Sequence, residues 1–269
     1  SRIALSAAAG LDNEKDFLAQ VLEKDYAAQL SDSAAYPISL AIDSTAAWTN
    51  RESYRLGLTP EGASITGASS AGVFYGIQTL RAVLGMNTLP LRTPAVSISD
   101  YPDFGYRGMH LDIARNFQTP EAIKRLLDMM AYYKLNVFHF HFNDDEAWRL
   151  EIPGIPELTS YGARRGHTLD EKDMLHPTYG SGPFADDTPS HGYGYFPREQ
   201  FIDLLRYATR LHIQVIPEIE TPGHARAAIY SMKHRYEKYK DTDPEEATRY
   251  LLHDPADTSE YTSAQGFHD

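Results

Sequence analysis

Three strand-like segments at 107–115, 136–142 and 213–219, with helical patterns between them, constrain the fold of this chain more than any other feature. After the first, Thr119-Pro120-Glu121 announces a helix: a Thr N-cap, a proline at the first helical position and an acid in the first turn. That helix places Ile123, Leu126, Leu127 and Met130 on one face. A second helix after Phe196-Pro197 repeats the spacing with Phe201, Leu204, Leu205 and Ala208. Strand, helix, strand, helix, strand with connections of this length form parallel βα units, because an antiparallel pair needs only a short turn. The strands read as apolar enough to be covered on both faces. Pattern alone leaves a doubly wound sheet and a barrel both open.

Upstream the punctuation differs. Tyr54-Arg-Leu-Gly-Leu, the turn formers Thr59-Pro60-Glu61-Gly62 and Ala-Ser-Ile-Thr predict a hairpin. Val73, Ile77, Leu80 and Leu84 keep helical spacing, which predicts an amphipathic helix over 71–84 lying on those strands. With a further strand at 38–43, residues 1–98 are expected to form a small α+β domain. The proline-rich stretch from Leu89 to Asp103 reads as a linker, and 99–269 as the second domain.

At 269 residues, 42% of them hydrophobic, the chain can bury a substantial core. It shows no apolar run long enough to span a membrane, and its first residues lack a signal-peptide layout. A net charge of −12 without any basic cluster argues against a nucleic-acid partner and favours a neutral or cationic ligand. The absence of cysteine excludes disulfides and thiolate metal sites.

Each parallel strand ends in polar residues: Asp112 and Arg115; His139, His141, Asp144, Asp145 and Glu146; Glu218, Glu220 and His224. Convergence at C-terminal strand ends is the layout of a βα active site, and the loop of more than fifty residues between Asn143 and Phe196 leaves the same face. Plain structural readings compete: an Asp112–Arg115 ion pair, core histidines satisfied by backbone carbonyls, Glu218 as a helix cap.

The segments Arg-Gly-Met-His-Leu-Asp-Ile-Ala-Arg-Asn-Phe, His-Phe-His-Phe-Asn-Asp-Asp-Glu-Ala-Trp-Arg-Leu-Glu-Ile and Val-Ile-Pro-Glu-Ile-Glu-Thr-Pro-Gly-His-Ala-Arg resemble the first three barrel strands of family-20 glycoside hydrolases, the N-acetyl-β-hexosaminidases. Gly-Val-Phe-Tyr-Gly-Ile-Gln-Thr-Leu resembles the α+β domain preceding that barrel, and the tail 250–259 is similar to bacterial chitobiase-like members. The resemblance implies a small α+β domain followed by the first three βα units of a (β/α)8 barrel, incomplete in this chain. It implies retaining hydrolysis in which the substrate's 2-acetamido group is the nucleophile and an Asp-Glu pair assists. That pair belongs to a His-x-Gly-Gly-Asp-Glu motif on the fourth strand, which this sequence does not contain. The catalytic pair is accordingly expected beyond Asp269, and the chain is expected to be inactive alone.

By resemblance, Arg115 binds the hydroxyls of the sugar in the cleavage subsite. Asp144 and His224 form a network that orients the general acid, and Asp145 organises the loop. The implied substrate is a glycan ending in N-acetylglucosamine or N-acetylgalactosamine. No cofactor, metal or nucleic acid is expected. The implied macromolecular partner is the rest of the barrel or a second copy, and the implied compartment is periplasmic or extracellular. Two alternatives stand beside this reading: a non-catalytic sugar-binding protein, and a metal-dependent amidohydrolase in which His139 and His141, two apart on a strand, begin a metal site.

Overall fold

A computed structural model describes residues 2–33, 36–85, 95–178, 180–182, 190–221 and 223–251. The chain divides into two compact units: Ser1–Arg107 with Met129–Asn136 and Arg210–His212, and Gly108–Asp128 with Val137–Thr209 and the described residues from Ile213.

The first unit contains β1 (Arg2–Ala7), α1 (Asp12–Tyr26), β2 (Gln29–Leu30), β3 (Tyr36–Ile42), β4 (Tyr54–Thr59), β5 (Gly62–Gly67), α2 (Ser70–Leu84) and β6 (Val96–Asp100). They build one mixed sheet in the order β2-β1-β3-β5-β4-β6. The hairpin forms as its alternation requires: Thr59 faces Gly62 across the turn and Tyr54 faces Gly67 at the far end. Ser69 caps α2, its hydroxyl accepting the Gly72 N–H. The helix presses Val73, Ile77 and Leu80 into a core with Leu56 and Ile65, where full burial of each such side chain is worth about 1.5–3 kcal/mol. Gly76 permits that approach, since a Cβ there would lie 2.5 Å from Ile65 Cγ2 and 3.2 Å from Tyr54 Cδ2.

One sequence expectation needs correction. The stretch read as a linker contains β6, which pairs antiparallel with β4, Ile98 facing Leu56. Val96 and Ile98 alternate with Ser97 and Ser99, but the flanking prolines mask that period in sequence. The earlier part of the stretch, 89–94, lies outside the described residues, as does the tail from 252 to Asp269, which includes all but the first two residues of the chitobiase-like 250–259.

The second unit holds β7 (Gly108–Asp112), α3 (Pro120–Tyr132, its last turn counted with the first unit), β8 (Val137–His141), the two-residue strands β9 (Asn143–Asp144) and β10 (Ala147–Trp148), α4 (Glu157–Ser160), α5 (Arg198–Arg210), β11 (Gln214–Glu218), α6 (Arg226–Tyr239) and α7 (Pro244–Thr248). Strands β7, β8 and β11 are parallel and lie side by side in chain order. Each strand is added beside its predecessor in one direction, as a barrel winds. The chain is thus an α/β protein with a small α+β domain before a partial (β/α)8 barrel.

The strands are not apolar on both faces. Phe138 and Phe140 stack on one side of β8 and continue into Phe196 and Phe201, the latter on α5. The register places His110, Asp112, His139, His141, Ile216 and Glu218 on the other. The alternation of Phe with His in β8 is the visible trace of that division. No helix among the described residues is long and apolar enough to cross a membrane.

Candidate active site

Asp144 is the hub. The tight turn of the β9–β10 pair follows β8 directly and seats its carboxylate out of solvent at 2% exposure. One oxygen, Oδ1, meets Arg115 Nη2 at 2.7 Å, His224 Nδ1 at 3.2 Å and the Asp145 backbone N–H at 2.7 Å. The other, Oδ2, meets His141 Nε2 at 2.9 Å. Burial alone would raise this carboxyl. Hydrogen bonds from His141 and the Asp145 N–H, with the charges of Arg115 and His224, outweigh it and hold Asp144 below the usual carboxylate range.

Arg115 follows β7 and sits among three acids, with Nη1 on Asp112 at 2.7 Å, Nε on Glu146 at 2.7 Å and Nη2 on Asp144. The Asp112–Arg115 ion pair is therefore real, but it is one arm of a larger cluster. Among the described partners each guanidinium nitrogen touches one carboxylate, which leaves a second N–H on each Nη for a ligand. Burial works against the charge, yet the three acids raise Arg115 above the usual arginine value. Burial raises the Glu146 carboxyl, and Arg115 only partly offsets it. His224, between β11 and α6, is half exposed and held at φ +53°, a left-handed conformation uncommon outside glycine. Asp145 lies 3.6 Å from His224, and its Oδ1 accepts the Arg226 N–H that opens α6. The four residues singled out in the sequence, Arg115, Asp144, Asp145 and His224, thus meet at one place. The Asp-Glu pair is expected beyond Asp269, past the last residue of this sequence; the acids brought together here are Asp112, Asp144, Asp145 and Glu146.

Below them the inward histidines do not find backbone carbonyls. His110 Nε2, His139 Nε2 and His141 Nδ1 approach the same oxygen, Glu218 Oε2, at 3.1, 2.8 and 3.1 Å. Glu218 is no helix cap: one of its oxygens is the point on which three imidazole nitrogens converge. Its hydrogen bond with Glu220 raises Glu220 and helps hold Glu218 low against burial. His141 bridges two carboxylates: burial pulls its pKa down, but Asp144, Asp112 and Glu218 raise it above 6.5. A group raised in the folded state stabilises it fully below the unfolded value and loses that contribution as pH rises through the folded midpoint. The His141 ring is therefore expected to titrate above 6.5, and Asp144→Asn should bring the midpoint down. Histidine proton NMR of the two proteins checks this; a wild-type midpoint at or below 6.5 refutes it.

Three groups of donor atoms lie within 4.8 Å of one another and could share a cation: His110, His139 and Glu218; His141, Glu218 and Glu220; Asp144, Asp145 and His224.

Two residues that sequence reasoning passed over shape the site from behind. Arg149 and Arg165 are fully buried. Arg149 donates to the carbonyls of Ile113 (3.1 Å) and Ala114 (2.9 Å) at the exit of β7, and to those of Ala163 (3.1 Å), Gly192 (3.4 Å) and Gly194 (2.9 Å) in the long loop. Burial brings Arg165 down to about 10, so it stays cationic at neutral pH. The only sequence signal was charge inside an apolar setting, Ala-Trp-Arg-Leu and Gly-Ala-Arg-Arg. The loop is packed and fastened at these points; 183–189 within it lie outside the described residues.

A parallel βα sheet with ionisable side chains converging at the C-terminal ends of successive strands is the layout of the active-site face of a (β/α)8 barrel protein. Residues 104–264 match the catalytic domain of glycosyl hydrolase family 20, and residues 1–101 match domain 2 of the same family. The chain belongs to glycosyl hydrolase family 20. It is 46% identical over 220 residues to a beta-hexosaminidase of Vibrio vulnificus, covering 81% of this chain and 25% of that protein. It is 42% identical over 233 residues to the N,N'-diacetylchitobiase of Vibrio harveyi, covering 85% of this chain and 26% of that protein. Among solved structures, the exo-beta-N-acetylglucosaminidase of Vibrio harveyi in complex with N-acetylglucosamine superposes with a TM-score of 0.74 at 34% identity, over 86% of this chain and 35% of that one. The chain spans about a quarter of the length of these curated relatives. Family membership sets aside the amidohydrolase reading of His139 and His141.

Proposed function

We propose that these residues form the sugar-binding and acid-orienting part of an N-acetyl-β-hexosaminidase that removes terminal β-linked N-acetylglucosamine or N-acetylgalactosamine. The observation that carries this reading is the meeting of Arg115, Asp144 and His224, delivered by three successive strand ends and joined through one buried carboxylate. The remaining N–H groups of Arg115 suit vicinal sugar hydroxyls, a task for a planar fork rather than a point charge. Asp144 and His224 act on the general acid by orienting it and setting its pKa.

In the proposed reaction the acetamido oxygen of the substrate attacks its own anomeric carbon as the glycosidic C–O bond breaks, and the leaving oxygen takes a proton from a glutamic acid. Water then opens the oxazolinium ring, giving its proton back to that glutamate, and the configuration is retained. The acid and its neighbouring aspartate come from a His-x-Gly-Gly-Asp-Glu segment that these 269 residues do not contain. The second reading, a sugar-binding protein without catalysis, applies only if the full-length protein also lacks that pair.

The nucleophile distinguishes the mechanisms. In an enzyme of full family length carrying this chain, replacing the N-acetyl group of a chromogenic substrate by N-trifluoroacetyl weakens the attacking carbonyl, and kcat/KM is expected to fall by about 100-fold or more. A flat response with turnover intact would remove substrate assistance; sugar binding with no turnover would establish the non-catalytic reading.

A further inference from the structure

The Arg165 guanidinium, fully buried, spreads over four backbone carbonyls. Nη2 donates to Arg115 O at 2.5 Å and Thr178 O at 3.2 Å, and Nη1 to Ala114 O at 3.0 Å and Glu146 O at 3.4 Å. Two of these carbonyls belong to the two ends of one functional contact, since the Glu146 carboxylate is what holds Arg115 Nε. A single buried cation therefore grips, from behind, the backbone of the residue proposed to bind sugar and the backbone of the acid that aims its side chain. Taking a guanidinium out of water costs several kcal/mol, and a residue retained at that cost invites a reason. Simple loop anchoring does not require this choice of carbonyls, because Arg149 already ties 113 and 114 to 163, 192 and 194.

We propose that Arg165 is a positioning residue that acts through Arg115, fixing the Arg115 and Glu146 backbones together so that the sugar-binding guanidinium meets its ligand in one orientation. The proposal rests on the hexosaminidase reading. Preorganisation of this kind is sensitive to small displacements, a shift of 1 Å being able to cost about 100-fold in rate. A lysine, with one ammonium, cannot span four carbonyls arranged for a fork.

The test is a double-mutant cycle on kcat/KM for a chromogenic N-acetyl-β-glucosaminide in the full-length enzyme. R165K is expected to lower kcat/KM by about 10- to 100-fold in the otherwise native enzyme, and by less than about twofold when Arg115 is already alanine. Equal losses in both backgrounds would make Arg165 a plain stability residue and overturn the proposal, as would no loss at all. If R165K does not fold, Arg165→Gln, which buries no charge, takes its place in the cycle; failure of both to fold likewise assigns Arg165 to stability alone. An inactive native enzyme would instead sink the hexosaminidase reading, so the two failures are separable.

Discussion

The 269-residue chain, assayed by itself, is expected to show no turnover of a chromogenic N-acetyl-β-glucosaminide. A complete barrel is built from eight βα units; the described residues contain three strands of the barrel sheet, β7, β8 and β11, and the sequence has no His-x-Gly-Gly-Asp-Glu segment. Loss of the general acid together with the carboxylate that steadies the acetamide removes on the order of 10⁴-fold or more of rate. The acids present are already committed elsewhere. Asp145 caps the start of α6 through Arg226 N, and Glu146 is tied to Arg115 Nε. The measurement is an assay of a mass-verified preparation beside Asp145→Asn and Glu146→Gln. Turnover that vanishes in either variant would make the loop acids catalytic and move the chemistry to this end of the protein.

In a full-length enzyme, Arg115→Ala is expected to lower kcat/KM by about 30- to 1000-fold, the equivalent of about 2–4 kcal/mol of charge-assisted contact to sugar hydroxyls. The substitution has a second effect. Asp112, Asp144 and Glu146 lose the cation they share, and among the described residues buried Asp144 keeps the imidazoles of His141 and His224 as its side-chain partners. Asp144 is held low in the folded state, so its stabilising contribution is present above the unfolded value of 3.8 and is lost as pH falls through the folded one. The stability penalty of Arg115→Ala should thus be largest near neutral pH and shrink in acid. Kinetics at saturating and limiting substrate, with thermal melts at pH 7 and pH 3.5, separate the two effects. Unchanged kcat/KM in a folded variant would rule out the sugar-binding role.

Legibility of the fold tracked how local the determining interactions are. The hairpin of β4 and β5 could be read directly, because its alternation and its turn residues lie within fourteen consecutive positions, Tyr54–Gly67. The start of α3 was legible for the same reason, and Thr119 Oγ1 does accept the Ala122 N–H. Strand β6 was not, since its partner β4 lies some forty residues earlier and prolines flank it. Strand β1 and helix α1 carry mixed patterns whose apolar side becomes plain only beside β3 and α2. At the site, long motifs identified Arg115, Asp144 and His224. The sequence could place His141 on a strand and Arg165 in a loop, but which carboxylate or carbonyl each would find depends on segments far along the chain.

The two buried arginines hold the loop after β8 by its carbonyl oxygens, and a carbonyl is the same atom whatever side chain its residue carries. Such a fastening is blind to sequence. Exposed loop positions can therefore change in size, charge or polarity without releasing the segment, as long as the backbone path and the two guanidiniums persist. Gly192 and Gly194 are excepted, since a Cβ there would lie 2.5 Å from Ser181 Cβ and closer still to the Phe117 ring, respectively. A loop beside the proposed sugar site that tolerates substitution while staying in place is raw material for divergence: on that proposal, the spectrum of ligands accepted can drift among descendants of one protein while the geometry around Arg115 stays put.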